Sequence, residues 1–270
     1  FGFEFCTAQE KDVFNNPAIN TVFIATRHDS HAAYVLKSLR AGKHTFVEKP
    51  LALNEEQLTE IESHHSNDPT AKLHLMEGFN RRFSPLAQKL KEILGDGPKS
   101  MIYRINAGSI LPDSWIQDKD IGGGRIIGEV CHFVDFLTFM AGSRPIRVYA
   151  STLPDPQHHQ DTLTINLEHV NGSIGSICYY ANGSKELPKE YIEVYQSGVT
   201  GIIRDFRELE IYSSSKRSKK KLFSQNKGQA EMVRQFLERV RDGGKPLIDP
   251  QVIFSTTRVT FKIEESIKTH

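Results

Sequence analysis

Residues 21 to 63 alternate between two kinds of apolar pattern, and that alternation restricts the fold more than any other feature of the chain. Thr21-Val22-Phe23-Ile24-Ala25-Thr26 is a short, partly β-branched run bounded by polar residues, the pattern of a strand buried on both faces of a parallel sheet. A helical stripe follows, with Ala33, Val35, Leu36 and Leu39 on one face. Asp29 and Ser30 suit its N-cap, Arg40 and Lys43 suit the negative end of its dipole, and Gly42 ends it. A second strand, 44 to 48, runs into Glu48-Lys49-Pro50, and a second helix is predicted from Asn54 to about Ser63, with Asn54 and Gln57 in capping-box spacing. Strand, helix, strand, helix within about 40 residues is a right-handed βαβ crossover.

In open parallel sheets, ligands sit outside the carboxyl ends of the strands. Thr26 and Glu48-Lys49 occupy those ends, and a third strand, about Leu73 to Gly78, delivers Asn80-Arg81-Arg82 in the same way. Side chains at these positions are functional candidates on topology alone. A solvated strand end is the competing reading for any single lysine.

Four separated segments resemble the Gfo/Idh/MocA oxidoreductases, the glucose-fructose oxidoreductase and inositol dehydrogenase family. They are Thr26-x-x-x-x-His31 after a strand, Ala41 to Pro50, Gly78-Phe79-Asn80-Arg81-Arg82-Phe83, and Gly122 to Asp135; the tail Phe261 to Ile267 matches the family's last helix. The wording Thr-Arg-His-Asp-Ser-His is similar to a subgroup fused behind a zinc alcohol dehydrogenase-like domain. The resemblance implies an NAD- or NADP-dependent oxidoreductase acting on a sugar, nucleotide-sugar or polyol. Family members open with a Gly-x-Gly-x-x-Gly turn, and nothing like it precedes Phe1, so the expectation is an N-terminally truncated chain that binds NAD(P) poorly. The alternative is a non-catalytic binding or assembly module that keeps only the substrate domain.

The second half reads differently. After a helix at Pro85 to Leu94 and a turn at Gly95-Asp96-Gly97-Pro98, strands are predicted at 99–107, 145–153, 161–170, 173–181, 190–197, 201–205 and 208–213, with Asn171-Gly172 as a hairpin turn. One long helix, about Ile126 to Met140, interrupts them. The expected fold class is α/β plus α+β: a partial Rossmann-like parallel sheet in residues 1–84, then an open-faced, largely antiparallel sheet domain in residues 85–270. In the resembled family the open face commonly forms a subunit contact, which implies a homo-oligomer.

Composition narrows the partners. With 270 residues, 38% hydrophobic and 25% charged, the chain can bury a substantial core, and a net charge of +1 supplies no long-range field for nucleic acid or an anionic membrane. No apolar stretch approaches about 18 residues, the length of a membrane span. Cys6, Cys131 and Cys178 lie far apart with no Cys-x-x-Cys, which suits a reducing compartment; the expected location is the cytoplasm. The pairs His64-His65 and His158-His159 lack partners at zinc spacing, so no metal is expected. Residues 213 to 221, rich in Ser and Lys, read as a solvated loop in preference to a nucleic-acid or localisation patch, given the near-neutral net charge.

Hydride transfer at a carbinol needs a base within hydrogen-bond reach, a cation to steady the alkoxide, and a dry cleft. Lys49 supplies the cation, or a base if desolvated, and His132 is the natural proton acceptor; by resemblance these two match the family's substrate-facing pair. Glu129, His132 and Asp135 recur every three residues, so one side of a helix would present three polar groups to the cleft. The family's usual Asp-x-Gly-x-His is here Gly128-Glu129-Val130-Cys131-His132, which leaves Glu129 to pair with His132 as the third catalytic candidate. Resemblance places Thr26, His31, Glu48, Pro50 and Asn80 near the cofactor. His31 reads equally as a solvent-facing residue of a first helical turn, and the bond before Pro50 is cis in known relatives but trans on base rates. Substrate candidates are Arg81, for a carboxylate or phosphate or else a surface salt bridge; Trp115, for stacking on a sugar ring; and Asp135. Trp115 lies in a loop, 108 to 121, that reads as a lid.

Overall fold

The computed structural model describes residues 2–66, 73–154 and 160–269. A short helix α1 (Lys11–Phe14) leads into β1 (Thr21–Ile24), α2 (His31–Arg40), β2 (His44–Val47), α3 (Glu55–Ser66) and β3 (Leu75–Glu77). The three strands form a parallel sheet in the order β1-β2-β3, with Thr21 opposite His44 and Thr45 opposite Leu75. Parallel neighbours require crossovers, and α2 and α3 provide them. Their apolar stripes bury Val35, Leu36, Leu39, Leu58 and Ile61 with Phe46, Val47 and Leu75 of the sheet. At the start of α3 the capping pair forms: the Gln57 amide donates to Asn54 Oδ1 at 2.9 Å, while Gln57 Oε1 accepts from the Leu53 amide at 2.9 Å.

Two local expectations need correction. Ser30 stands at the N-cap of α2 without a side-chain cap; its hydroxyl donates instead to the Arg27 carbonyl at 2.8 Å and lies 2.6 Å from Thr26 Oγ1. β1 is not buried on both faces, for Phe23 is 44% exposed. It sits on an edge strand, where the rings of Phe46 and Phe236 cover it only in part.

The second sheet has eight strands: β4 (Ser100–Asn106), β5 (Pro145–Thr152), β6 (Leu163–His169), β7 (Ile174–Tyr180), β8 (Glu190–Gln196), β9 (Val199–Arg204), β10 (Glu208–Tyr212) and β11 (Arg217–Lys221). Their order is β11-β10-β9-β8-β4-β7-β6-β5, antiparallel throughout except for the parallel pair β4–β7. The Asn171-Gly172 turn joins β6 to β7, with Gly172 at φ +80° and Asn171 Oδ1 accepting the Ser173 amide at 3.1 Å. One face packs on α4 (Pro85–Leu94) and α5 (Cys131–Ala141) around Leu90, Tyr103, Phe133, Phe136, Ile165, Ile177 and Ile192. The other face is open. β11 corrects the reading of 213–221 as a loop. Its side chains are all exposed, as expected, yet Arg217 and Lys219 pair across the strand with Glu210 and Glu208, and these cross-strand pairs settle it as a charged edge.

The chain then returns. α6 (Gln229–Asp242) inserts Met232 and Phe236 into the core of the parallel sheet, and α7 (Pro250–Thr269) adds Ile253 and Phe254 there before placing Ile263 in the core of the large sheet. Helix α7 therefore packs against both units. Gly228, at φ +87°, opens α6 so close to the chain at 80–84 that an added Cβ would lie 2.5 Å from Phe83 C. Among the described residues no helix is long and apolar enough to cross a membrane. His64 and His65 end α3; His158 and His159 lie outside the described residues.

Candidate active site

Parallel packing forces β2 to end inside the protein, and the residues that follow it are anchored from three sides. The Lys49–Pro50 peptide is cis. The Pro50 carbonyl bonds to His31 Nδ1 at 2.8 Å, and the Leu51 amide donates to Glu77 Oε1 at 3.0 Å. His31 is fully buried rather than solvent-facing, and its Nε2 lies 3.1 Å from the Thr26 carbonyl. It therefore ties the end of β1 to the end of β2. Burial pushes the Glu77 carboxyl well above its usual range.

Lys49 crosses to the second unit. Its ammonium donates to the Gly128 carbonyl at 2.7 Å, in a π-helical turn (Ile126–Val130) that precedes α5. Such wide turns recur at functional sites. His132 follows one turn later, 8% exposed, edge-on to the Phe79 ring. Its Nδ1 has no hydrogen-bond partner among the described residues. Burial depresses its proton affinity well below the ordinary imidazole value, and Arg81, Lys49, Lys189 and Lys227 lower it further. Lys49 and His132, 83 positions apart in sequence, thus meet at the seam between the two units, with the imidazole neutral.

Glu129 and Asp135 do not join them. A three-residue step on a helix falls about 60° short of a full turn, so residues 129, 132 and 135 diverge. Glu129 faces the large sheet, where Lys189 (2.5 Å), the Tyr179 hydroxyl and Arg125 (3.2 Å) contact its carboxylate. Burial alone would raise its pKa; Lys189, then Tyr179 and Arg125, hold it down to about 2. Asp135 is fully buried and paired with Arg82, whose Nε donates to it at 3.0 Å.

The remaining candidates divide. Thr26 and Glu48 stay at the strand ends, and Gly78 leaves room for Glu48, whose carboxylate would lie 3.0 Å from an added Cβ. Asn80 instead donates to the Lys227 carbonyl at 2.8 Å. Arg81 makes neither a surface bridge nor a free anion site: it is buried, bidentate to Glu190 at 2.8 and 3.1 Å, with its guanidinium 5.1 Å from the centre of the Phe133 ring. Glu190 also receives Lys227 at 2.6 Å and the Tyr103 hydroxyl. Trp115 presents its indole to the edge of His28 at 4.8 Å. His28, pushed down to about 4 chiefly by burial, bonds the Gly122 carbonyl at 2.8 Å, and the Asp29 amide donates to the Ile121 carbonyl. The loop 108–121 is thereby fastened to the segment after β1. Gly128 permits this, since an added Cβ would stand 3.0 Å from His28 Cε1.

Sequence reading missed His28, Glu77, Lys189, Glu190 and Lys227. Only His28 sits in a motif, between Thr26 and His31, and Glu190 meets Arg81 across 109 positions. A carboxylate in a predicted strand, Glu77 or Glu190, is the one signal that stood in the sequence.

Two family profiles match this chain. Residues 1–68 match one described as "Oxidoreductase family, NAD-binding Rossmann fold", and residues 99–200 match "GFO/IDH/MocA C-terminal domain". The chain is 28% identical over 174 residues to a myo-inositol 2-dehydrogenase of Thermotoga maritima, covering 62% of this chain and 51% of that one. It spans about half the length of the curated relatives it matches. In fold it is similar to the UDP-N-acetylglucosamine 3-dehydrogenase of Acidithiobacillus ferrooxidans, with a TM-score of 0.83 at 16% identity over 98% of this chain and 83% of that one. A levoglucosan dehydrogenase in complex with NADH and levoglucosan gives a TM-score of 0.83 at 19% identity over 99% and 83%.

Proposed function

Since this chain belongs to the Gfo/Idh/MocA oxidoreductase family, we propose that it carries the substrate-reacting site of an NAD(P)-dependent oxidoreductase for a sugar, nucleotide-sugar or polyol. The observation that supports this most is the convergence of Lys49 and a buried, neutral His132 whose Nδ1 has no partner among the described residues. A neutral imidazole and an ammonium brought to one seam suit a carbinol: the ring accepts the hydroxyl proton, and the ammonium steadies the oxygen as charge develops on it. The crevice beyond β1 and β2 suits the nicotinamide end of NAD(P), which Thr26, Glu48 and the Lys49–Pro50 peptide would hold. When bound, that group supplies the hydride acceptor. His31 and Asn80 act on it only indirectly, by fixing the backbone around it.

The test is turnover by the protein carrying this chain. A panel of neutral sugars, uronates, nucleotide-sugars and inositols, each with NAD and NADP, is followed by nicotinamide absorbance. At least one pairing is expected to react; silence across the panel would overturn the reading.

We further propose a homo-oligomer through the open face of the large sheet. Ile102, Tyr149, Ile174 and Tyr195, each at least 40% exposed, line a groove of about 710 Å³ there. Sedimentation equilibrium is expected to give a multiple of the chain mass that falls to the monomer in the double variant Ile102→Glu, Ile174→Glu. A monomer before substitution refutes it.

A further inference from the structure

The two groups that hold Lys49 in place both lie against a third residue, His28. The lysine ammonium donates to the Gly128 carbonyl at 2.7 Å, and the carbonyl of the next residue, Pro50, is bonded to His31 at 2.8 Å. The centre of the His28 ring is 5.6 Å from that of His31, and its Cε1 would stand 3.0 Å from a Cβ added to Gly128. His28 belongs to the first unit, in a 3₁₀ turn (His28–Ser30) that follows β1. It is nevertheless buried, with the Gly122 carbonyl at 2.8 Å and the Trp115 ring at 4.8 Å.

Residues 116–124 form one closed piece of backbone. The Gly122 and Gly123 amides donate to the Asp118 carbonyl at 2.8 and 3.0 Å, and the Gly124 amide donates to the Ile116 carbonyl at 2.9 Å. A hold on Gly122 is therefore a hold on the whole piece. It rests on the first unit at two strand ends: at β1 through His28 and the Asp29 amide, which donates to the Ile121 carbonyl at 3.0 Å, and beyond β2 through Gly123, where an added Cβ would meet Leu53 Cδ2 at 2.7 Å. That is the end of a parallel sheet at which ligands bind. Among the described residues, His28 supplies the one side-chain hydrogen bond from the first unit to this piece. A carbonyl only accepts, so His28 Nδ1 carries the proton and donates it. Removing that donor leaves a buried carbonyl without its partner, which is costlier than the loss of an exposed bond.

We propose that His28 is a positioning residue for the reaction at Lys49 and His132. Through Gly122 it holds residues 116–124 closed across the ends of β1 and β2, and through its contact with Gly128 it sets the carbonyl against which Lys49 is held. This rests on the oxidoreductase reading above and adds to it a residue that acts through its neighbours. Small displacements of such a constellation are enough to slow chemistry, because the reacting groups must meet within a fraction of an ångström of their productive geometry.

The experiment compares His28→Leu with His28→Asn in the protein carrying this chain. Leucine has no donor, whereas asparagine places an amide N–H close to where the imidazole Nδ1 stands. Two quantities are read: amide hydrogen exchange of the peptide 108–124, and kcat and KM for whichever substrate of the panel reacts. In His28→Leu, exchange of that peptide is expected to rise about tenfold while β6 and β7 keep their rates, the scale of one lost hydrogen bond. With it kcat is expected to fall about tenfold or more, and KM to change by less than about threefold. In His28→Asn both are expected to return most of the way to the parent. Exchange or kcat unmoved in His28→Leu, or equal impairment in the two variants, overturns the proposal and leaves the oxidoreductase reading intact. Should His28→Leu not fold, Gly128→Ala crowds the same ring from the opposite side and is read in the same way: faster exchange in 108–124 with lower kcat supports the proposal, and the absence of either refutes it. Should no substrate of the panel react, the oxidoreductase reading is what suffers, and the exchange measurement alone decides whether His28 holds the loop.

Discussion

His132→Ala is expected to lower kcat/KM by about 10²–10⁴-fold, the range that a positioned proton acceptor contributes. The imidazole is buried at the seam with no partner for its Nδ1 among the described residues, and the Lys49 ammonium is bonded to the turn that leads into it. Its pH behaviour follows from its surroundings. Burial first, then the cations Arg81 and Lys49, depress its pKa well below 6.5, so the ring is already neutral across the physiological range and needs no deprotonation to act as a base. The acid limb of the kcat/KM profile is therefore expected below the ordinary imidazole value of 6.5. A limb at or above it would mean that some other group limits the reaction. Lys49→Met should accompany the loss, and by removing a neighbouring positive charge it should raise the pKa of His132 and move that limb upward. Unaltered turnover in either variant would remove the pair from the chemistry.

Glu190→Gln is expected to destabilise the protein by about 3–5 kcal/mol in urea denaturation, with the circular dichroism of the folded state otherwise preserved. The substitution keeps the shape of the side chain but leaves Arg81 buried without its counter-charge and strands Lys227 as well. Linkage gives the same scale. Burial would raise the Glu190 pKa, but Arg81 and then Lys227 hold it at about 2, against 4.5 for a free glutamate. That difference corresponds to about 3 kcal/mol at neutral pH. Because the folded-state value is depressed, the contribution is complete above about pH 4.5 and is lost as pH falls toward 2. The difference in stability between the parent and Glu190→Gln should therefore narrow on acidification through that window. A difference independent of pH would assign the loss to packing instead of charge.

Secondary structure was the most legible layer, because it is written in local periodicity. The runs at 21–26 and 44–48 read as strands from their branched and aromatic residues, and Asn171-Gly172 marked its hairpin without help from the rest of the chain. The edge strand 217–221 escaped because nothing in Arg217 to Lys221 is apolar; its register depends on Glu208 and Glu210 in the neighbouring strand. Helical spacing misled at Glu129 and Asp135. Equal steps of three looked like one face, whereas the π turn and the drift of each step send one carboxylate to Lys189 and the other to Arg82.

From its own order of residues the chain settled most of its strands and helices and the arrival of Lys49 at a strand end, since each depends on neighbours within a few positions. Folding in three dimensions settled which charges face one another. Arg81 finds Glu190, Lys49 finds the Gly128 carbonyl, and His132 is left buried and neutral, with one nitrogen unpartnered among the described residues. The reason is physical: hydrogen-bond periodicity acts over one or two turns of chain, whereas desolvation and Coulombic interaction act through space and take no account of distance along the polymer.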